Sequence, residues 1–249
     1  MLKNILLILK VEISLTKKSN TNLNLIESEI LYEDNHLIII NKKTGVLVQG
    51  DITGDLSLIE IVKDYLKKKY NKKGNVFLGL VNRIDRPTSG IVIFAKTSKA
   101  LSRMNKKLRN REIKKIYWLI ISNKFRSNYG EIKGWFKKNK KQNKSYLWDE
   151  EVKNSKYGSL LFKKLKNLDN YSLVEVELIT GRHHQIRCSF SKIGYPVLGD
   201  LKYGSKRSNK DGGIYLHSKE VEFTHPVSEK KIVIEAKTPL TGLWSASLS

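Results

Sequence analysis

Asp85 lies in the stretch Val81-Asn82-Arg83-Ile84-Asp85-Arg86-Pro87-Thr88-Ser89-Gly90, between arginines at 83 and 86. Cations that close keep a carboxylate ionised even when it is partly desolvated. An ionised carboxylate can act as a nucleophile or a general base. An Asp that closes a turn and pairs with a neighbouring arginine uses the same residues, so the local sequence leaves both open. A second group is Thr180-Gly181-Arg182-His183-His184-Gln185-Ile186-Arg187. Arg182 lies near the start of a helical pattern, where backbone N–H groups favour an anion. His184 and Arg187 are three apart and share a helix face. Arg187 follows Ile186 by one position, which turns it off the apolar stripe toward an open side. Its fork of donors suits a carboxylate or a phosphate, and an exposed helix arginine with no fixed partner fits the same spacing.

The elements that must position these groups follow from periodicity. Two short apolar runs, Val76 to Val81 and Ile91 to Ala95, flank the Asp85 loop and read as buried strands. Loops held by buried strands are common places for chemistry. Glu29 to Lys42 reads as strand, turn, strand, with a third short strand at Val46 to Val48 after the turn Lys43-Thr44-Gly45. Ser57 with Glu60 has the capping-box spacing, and Leu58, Ile61, Val62, Tyr65 and Leu66 predict a helix of about four turns. Thr97-Ser98 opens a second helix, with Leu101, Met104 and Leu108 on its apolar face. Tyr117, in the strand Ile116 to Ile121, shares a face with Leu119 and Ile121, the placing of a core tyrosine. Gly130 to Lys144 is a hairpin candidate around Ile132, Trp135 and Phe136, and Tyr171 to Ile179 alternates as a half-exposed strand. Ile186, Phe190 and Ile193 recur at helical spacing until Gly194 stops the helix.

Composition sets limits. The chain has 249 residues, 40% of them hydrophobic, enough for a sizeable core, and a formal net charge of +23. Such a charge exceeds what solubility needs and points to a polyanion, nucleic acid first and an anionic membrane surface second. Lysine dominates the basic residues and Asn and Ile are abundant, a bias that an AT-rich genome also produces. The one cysteine, Cys188, excludes an intramolecular disulfide and a Cys-rich zinc site and fits a reducing cytoplasm. Leu2 to Leu9 is too short to span a bilayer and lacks a cleavage pattern. Asp149-Glu150-Glu151 is the acidic cluster of the chain, and consecutive carboxylates in a polar stretch are usually solvated.

Four spaced blocks resemble the RluA-type pseudouridine synthases. Arg83-Ile84-Asp85-Arg86-Pro87-Thr88-Ser89-Gly90 looks like that family's His-Arg-Leu-Asp loop with its Ser/Thr-Ser-Gly ending. Lys115-Ile116-Tyr117 matches its Lys-x-Tyr, and Thr180 to Arg187 its Thr-Gly-Arg-x-His-Gln-Ile/Leu-Arg. Gly194 to Gly204 is similar to its Gly-x-Pro-Ile-x-Gly-Asp-x-x-Tyr-Gly, and Leu216-His217, Phe223 to Pro226 and Ile232 to Ala236 to its closing strands. Two positions depart: Lys43 stands where a proline is usual, and Asn82 where a histidine is usual.

The resemblance implies an α+β fold, a mixed, largely antiparallel sheet with flanking helices and a central cleft. It divides the chain into a weakly structured extension, 1–28, and a catalytic domain, 29–249, without the S4 domain that relatives often carry. It implies isomerisation of uridines to pseudouridine in structured RNA, ribosomal before transfer RNA, by a cytoplasmic monomer with no metal, cofactor or membrane. By residue, Asp85 initiates glycosidic cleavage, Arg187 pairs with it, and Tyr117 packs on the base, as aromatic rings do with extruded bases. Arg83, Arg86, Arg182 and His184 contact RNA or fill the gap left by the flipped uridine. Two other classes remain: an RNA-binding or ribosome-assembly factor that kept the fold without activity, and a metal-dependent nuclease.

Overall fold

A computed structural model describes residues 26–122 and 125–248. The extension expected over 1–28 therefore falls outside the described residues up to 25, and Ile26 is already buried in the main core.

One mixed sheet carries the molecule. Its strands are β1 (Ile30–Glu33), β2 (Leu37–Lys42), β3 (Gly79–Leu80), β4 (Ser89–Ala95), β5 (Lys114–Ser122), β6 (Tyr129–Asn139), β7 (Lys144–Trp148), β8 (Lys156–Asn167), β9 (Tyr171–Leu178), β10 (Leu216–Thr224) and β11 (Lys231–Glu235). The order is β1-β2-β4-β10-β5-β9-β8-β6-β7, with β3 added to β4 and β11 to β10. Among the described residues only β4 and β10 run parallel, at Ser89–His217 and Gly90–Ser218. The helices are α1 (Leu58–Lys69), α2 (Ser98–Arg109), α3 (Gln185–Lys192) and α4 (Leu243–Leu248). The expected mixed sheet with flanking helices is present.

The two strand faces feed two cores. Ile38, Ile40, Val92, Phe94, Tyr117, Leu119, Val174 and Val176 share one with α1 and α3. Leu37, Ile39, Ile91 and Ile93 face the other with Ala100 and Met104 of α2. β4 is buried along its whole length, as its continuous apolar run requires.

Three local expectations change. Val76 to Val81 does not form a full strand. The antiparallel register sets Gly79 and Leu80 opposite Ala95 and Phe94, so Val76 to Leu78 run past the end of β4, where the chain turns into α2. Val46 to Val48 joins no ladder. Instead the carbonyls of Leu47 and Val48 accept the Leu58 and Ile59 N–H groups at 2.7 and 3.1 Å, satisfying free donors at the start of α1. Ser57 and Glu60 do cooperate there, the Glu60 carboxylate accepting from the Ser57 N–H and Oγ at 2.9 and 2.6 Å. Finally, the reverse face of β9 is less open than its alternation suggests, because Leu173 packs with Ile120 and Trp244 of α4.

Gly90 fixes the point where the Asp85 loop joins the sheet. Its φ is +109°, and a Cβ there would overlap the Ser218 backbone. Gly90→Ala is expected to cost about 2–5 kcal/mol through strain and overpacking. Chemical denaturation checks this, and a midpoint equal to wild type would contradict the close approach.

Candidate active site

The Asp85 loop is fastened from several sides. Asn82, in place of the usual histidine, accepts the Ile93 N–H at 2.7 Å and donates to the Ile91 carbonyl at 3.3 Å. Its amide thus ties the start of the loop to β4, a task that needs no titrating group. Lys42 is 1% exposed. Its ammonium donates to the carbonyls of Lys43, Val46 and Arg86 at 2.9, 2.9 and 3.2 Å. Burial pushes its pKa down to about 7, while the Asp85 charge works the other way. Pro87 accepts from the Ile214 N–H at 3.0 Å. Behind the loop, Ser89 Oγ lies 2.9 Å from Nδ1 of the buried His217. Lys43, at the usual proline position, pairs with Glu29 at 2.9 Å.

The second block delivers its groups to the same place. His184 sits before α3 with φ +54°, a left-handed conformation rare for residues with a side chain and found at constrained sites. Arg187 is not on an open side as its position suggested. Its side chain is 6% exposed, buried between two carboxylates. Nε and Nη2 hold Asp200 at 2.6 and 2.8 Å, and Nη1 reaches Asp85 Oδ2 at 2.9 Å. This placement is favourable because a buried guanidinium needs anions on its donors. Asp85 remains 29% exposed, so its free edge faces solvent.

His184 adds a further contact to Asp85. The Tyr203 hydroxyl oxygen accepts from the Ser145 N–H at 2.8 Å and lies 3.0 Å from His184 Nδ1. Directing the Tyr203 proton to Nδ1 puts the histidine proton on Nε2. That atom stands 3.5 Å from Asp85 Oδ2. Burial pushes His184 down to about 3 and its stacked neighbour His183 to about 4, so both rings are neutral at neutral pH. Burial also raises the Asp85 carboxyl, but the His184 ring and the Arg187 guanidinium pull it further the other way, and it ends below the usual carboxylate range. Asp85 is therefore a firmly ionised carboxylate.

Tyr117 stands on β5 opposite Ser218 of β10. It is 6% exposed, close enough to feel the Asp85 charge, and burial first of all pushes its phenol up to about 12. Arg83 is exposed on the loop, beside His183 electrostatically. Arg86 turns away, bonding the Gly45 carbonyl at 3.0 Å and Asp55 at 2.9 Å. Arg182 bonds the Tyr157 carbonyl at 2.8 Å. So the fold brings Asp85, His184 and Arg187 together with Tyr117 near, and points Arg86 and Arg182 elsewhere. Asp200, Tyr203 and Lys42 received no role from the sequence. Asp200 and Tyr203 do lie inside the matched Gly194–Gly204 block, and that match was the available signal.

The histidines give a testable pH dependence. His217, like His183, is held down to about 4 by burial. Below about pH 6.5 the unfolded chain protonates all three rings while the folded chain does not, so stability falls as pH drops from about 6.5 toward 4. Thermal unfolding between pH 7 and 4.5 checks this. A melting temperature constant over that window would mean that the rings are not held neutral.

Comparison with known proteins shows the family. The sequence model of a family described as RNA pseudouridylate synthase matches residues 36–192, spanning Asp85, Tyr117, His184 and Arg187. Ribosomal large subunit pseudouridine synthase C of Buchnera aphidicola subsp. Acyrthosiphon pisum is 35% identical over 226 residues, covering 87% of this chain and 69% of that protein. Its Rickettsia felis counterpart is 33% identical over 230 residues, covering 92% and 71%. In structure, Human RNA Pseudouridylate Synthase Domain Containing 4 shares the fold, with a TM-score of 0.75 at 21% identity over 94% of this chain and 96% of that one. The chain belongs to the RNA pseudouridylate synthase family and is an enzyme of that class.

Proposed function

We propose that this enzyme converts specific uridines of large-subunit ribosomal RNA to pseudouridine, with Asp85 initiating the reaction and no cofactor required. The observation that carries this reading is the ionised Asp85 carboxylate, clamped by Arg187 at 2.9 Å and open to solvent on one edge. The ribosomal target rests on the names of the relatives and on the +23 charge. In the reaction, the C1′–N1 bond breaks under attack or proton abstraction by Asp85, the base rotates, and C5 joins C1′ as Asp85 leaves C1′ or gives its proton back to the sugar. The C5 proton then leaves and a proton returns to N1, so reactant and product are isomers. Arg187 and the His184 Nε2–H keep the carboxylate aimed and ionised. Tyr117 enters as a protonated phenol, since burial holds its pKa near 12, and its role is to pack on the base. Arg83, exposed on the same loop, fills the gap left by the flipped nucleotide.

The test is to incubate unmodified large-subunit ribosomal RNA with the protein, treat it with carbodiimide, and map stops by primer extension, with and without EDTA. New stops at discrete uridines in both arms are expected. RNA that is bound but unmodified would replace the proposal with a silent binding factor, and EDTA-sensitive cleavage would replace it with a nuclease.

A further inference from the structure

The far edge of the sheet carries a row of aromatic rings that the core does not use. Trp135 of β6 lies directly opposite Trp148 of β7 on one side and Tyr157 of β8 on the other. Directly opposed residues in antiparallel strands share a face, so the three rings form one line across three strands. Their neighbours on the same strands, Ile132, Phe136 and Leu147, point inward and are buried in the core. The line itself faces water: Trp148 is 49% and Tyr157 42% exposed, and Tyr146 beside them 40%. Trp135 and Tyr157 meet edge to face at 5.6 Å, which fixes their planes. Trp148 and Tyr146 also line a cleft of about 360 Å³ with Lys137, Lys138 and Asn139.

The charge around this line is mainly basic, although Glu131 shares its face and Glu150 and Glu151 follow Trp148. Lys137 and Lys144 on the row's face and Lys138 in the cleft form no ion pair among the described residues, whereas Lys133 is paired with Glu131 at 3.1 Å. Lys144 instead lies over the Tyr146 ring at 5.6 Å. The carboxylates Asp149 to Glu151 come after the end of β7, and Asp149 is paired with Lys192. Unpaired cations around exposed ring faces are what a phosphodiester backbone with unstacked bases requires. An apolar protein partner would leave those lysines without counterions.

This edge is also bolted to the active site. Ser145 of β7 donates its N–H to the Tyr203 hydroxyl, and its Oγ lies 2.8 Å from His183 Nδ1. RNA seated on the row is thus held at a fixed distance from Asp85.

We propose that Trp135, Trp148 and Tyr157, with Lys137 and Lys138, form a second RNA contact surface that stacks unpaired bases of the substrate outside the uridine pocket. It rests on the reading that the substrate is RNA, and it assigns the β6–β7 edge to substrate selection. Its probe is a short fluorescein-labelled oligoadenylate, which contains no uridine to enter the active site. Wild type binds it with loss of tryptophan fluorescence. Trp148→Ala with Tyr157→Ala weakens binding about tenfold or more, since each stacked base contributes strongly. Trp148→Phe, which keeps a ring, restores most of the affinity. Lys137→Ala with Lys138→Ala lowers the salt slope by about two contacts. On ribosomal RNA the double aromatic variant raises KM more than it lowers kcat. Oligoadenylate affinity within twofold of wild type in the folded double variant would overturn the proposal and leave the edge to another partner. This outcome is independent of whether pseudouridine forms, so it separates failure of the surface from failure of the reaction.

Discussion

Asp85→Asn is expected to yield a folded protein that binds ribosomal RNA and forms no pseudouridine. The amide has nearly the shape of the carboxylate but neither attacks carbon nor takes a proton at neutral pH. The loss should reach about a thousandfold or more, the scale on which a reacting group contributes. Stability should change little, because Arg187 keeps both of its bonds to Asp200 at 2.6 and 2.8 Å and retains a counter-charge. Between about pH 6 and 8 the wild-type rate should change only with Lys42, the loop anchor that burial holds down to about 7, and not with Asp85 or His184. Asp85 titrates below the usual carboxylate range and His184 near 3, so neither changes state there. Primer-extension mapping beside RNA-binding anisotropy measures both halves of the expectation. Pseudouridine formed by the variant at even a tenth of the wild-type rate would remove Asp85 from its role.

Sequence could reach the groups but not all of their surroundings. Asp85 was legible because Pro87 and Gly90 punctuate a loop between apolar runs, and because the surrounding block matched a known pattern. Arg187 was legible as a residue type at a matched position, yet helical phase gave it the wrong environment. Phase assigns a face to a side chain without saying what covers that face. Here Asp200, thirteen residues further along the chain, closes over it with two hydrogen bonds. Lys42 was hidden for a related reason. A lysine at the end of a strand reads as solvated, and only the fold shows three carbonyls converging on its ammonium. The misplaced strands have the same origin. Val46 to Val48 has strand-like residues, but its carbonyls are taken by the start of α1. Val76 to Leu78 are left out because their register runs past Ala95, the last residue of β4. Periodicity identifies what is buried, while competition for backbone partners decides which buried runs become strands.

Arg187 should be the most costly side chain to remove, and the cost has two separable parts. Arg187→Met leaves Asp85 and the 1%-exposed Asp200 without their shared cation. Breaking a buried pair on one side costs about 3–5 kcal/mol, or roughly 6–20 °C in melting temperature for a chain of this size. Arg187→Lys retains the charge, but one ammonium cannot reproduce a fork that serves Asp200 twice and Asp85 once, so its melting temperature should fall between the two. Adding Asp200→Asn to Arg187→Met removes the stranded charge and should recover much of the lost stability. It should not recover activity, because Asp85 would still lack the guanidinium that offsets its burial. Its pKa would then rise, and any residual rate would fail at higher pH than in wild type as the carboxyl protonates. Melting curves and pH–rate profiles of the four proteins separate these effects. If the double variant regained both stability and activity, Arg187 would be a structural counter-ion for Asp200 and not the group that keeps Asp85 ready to react.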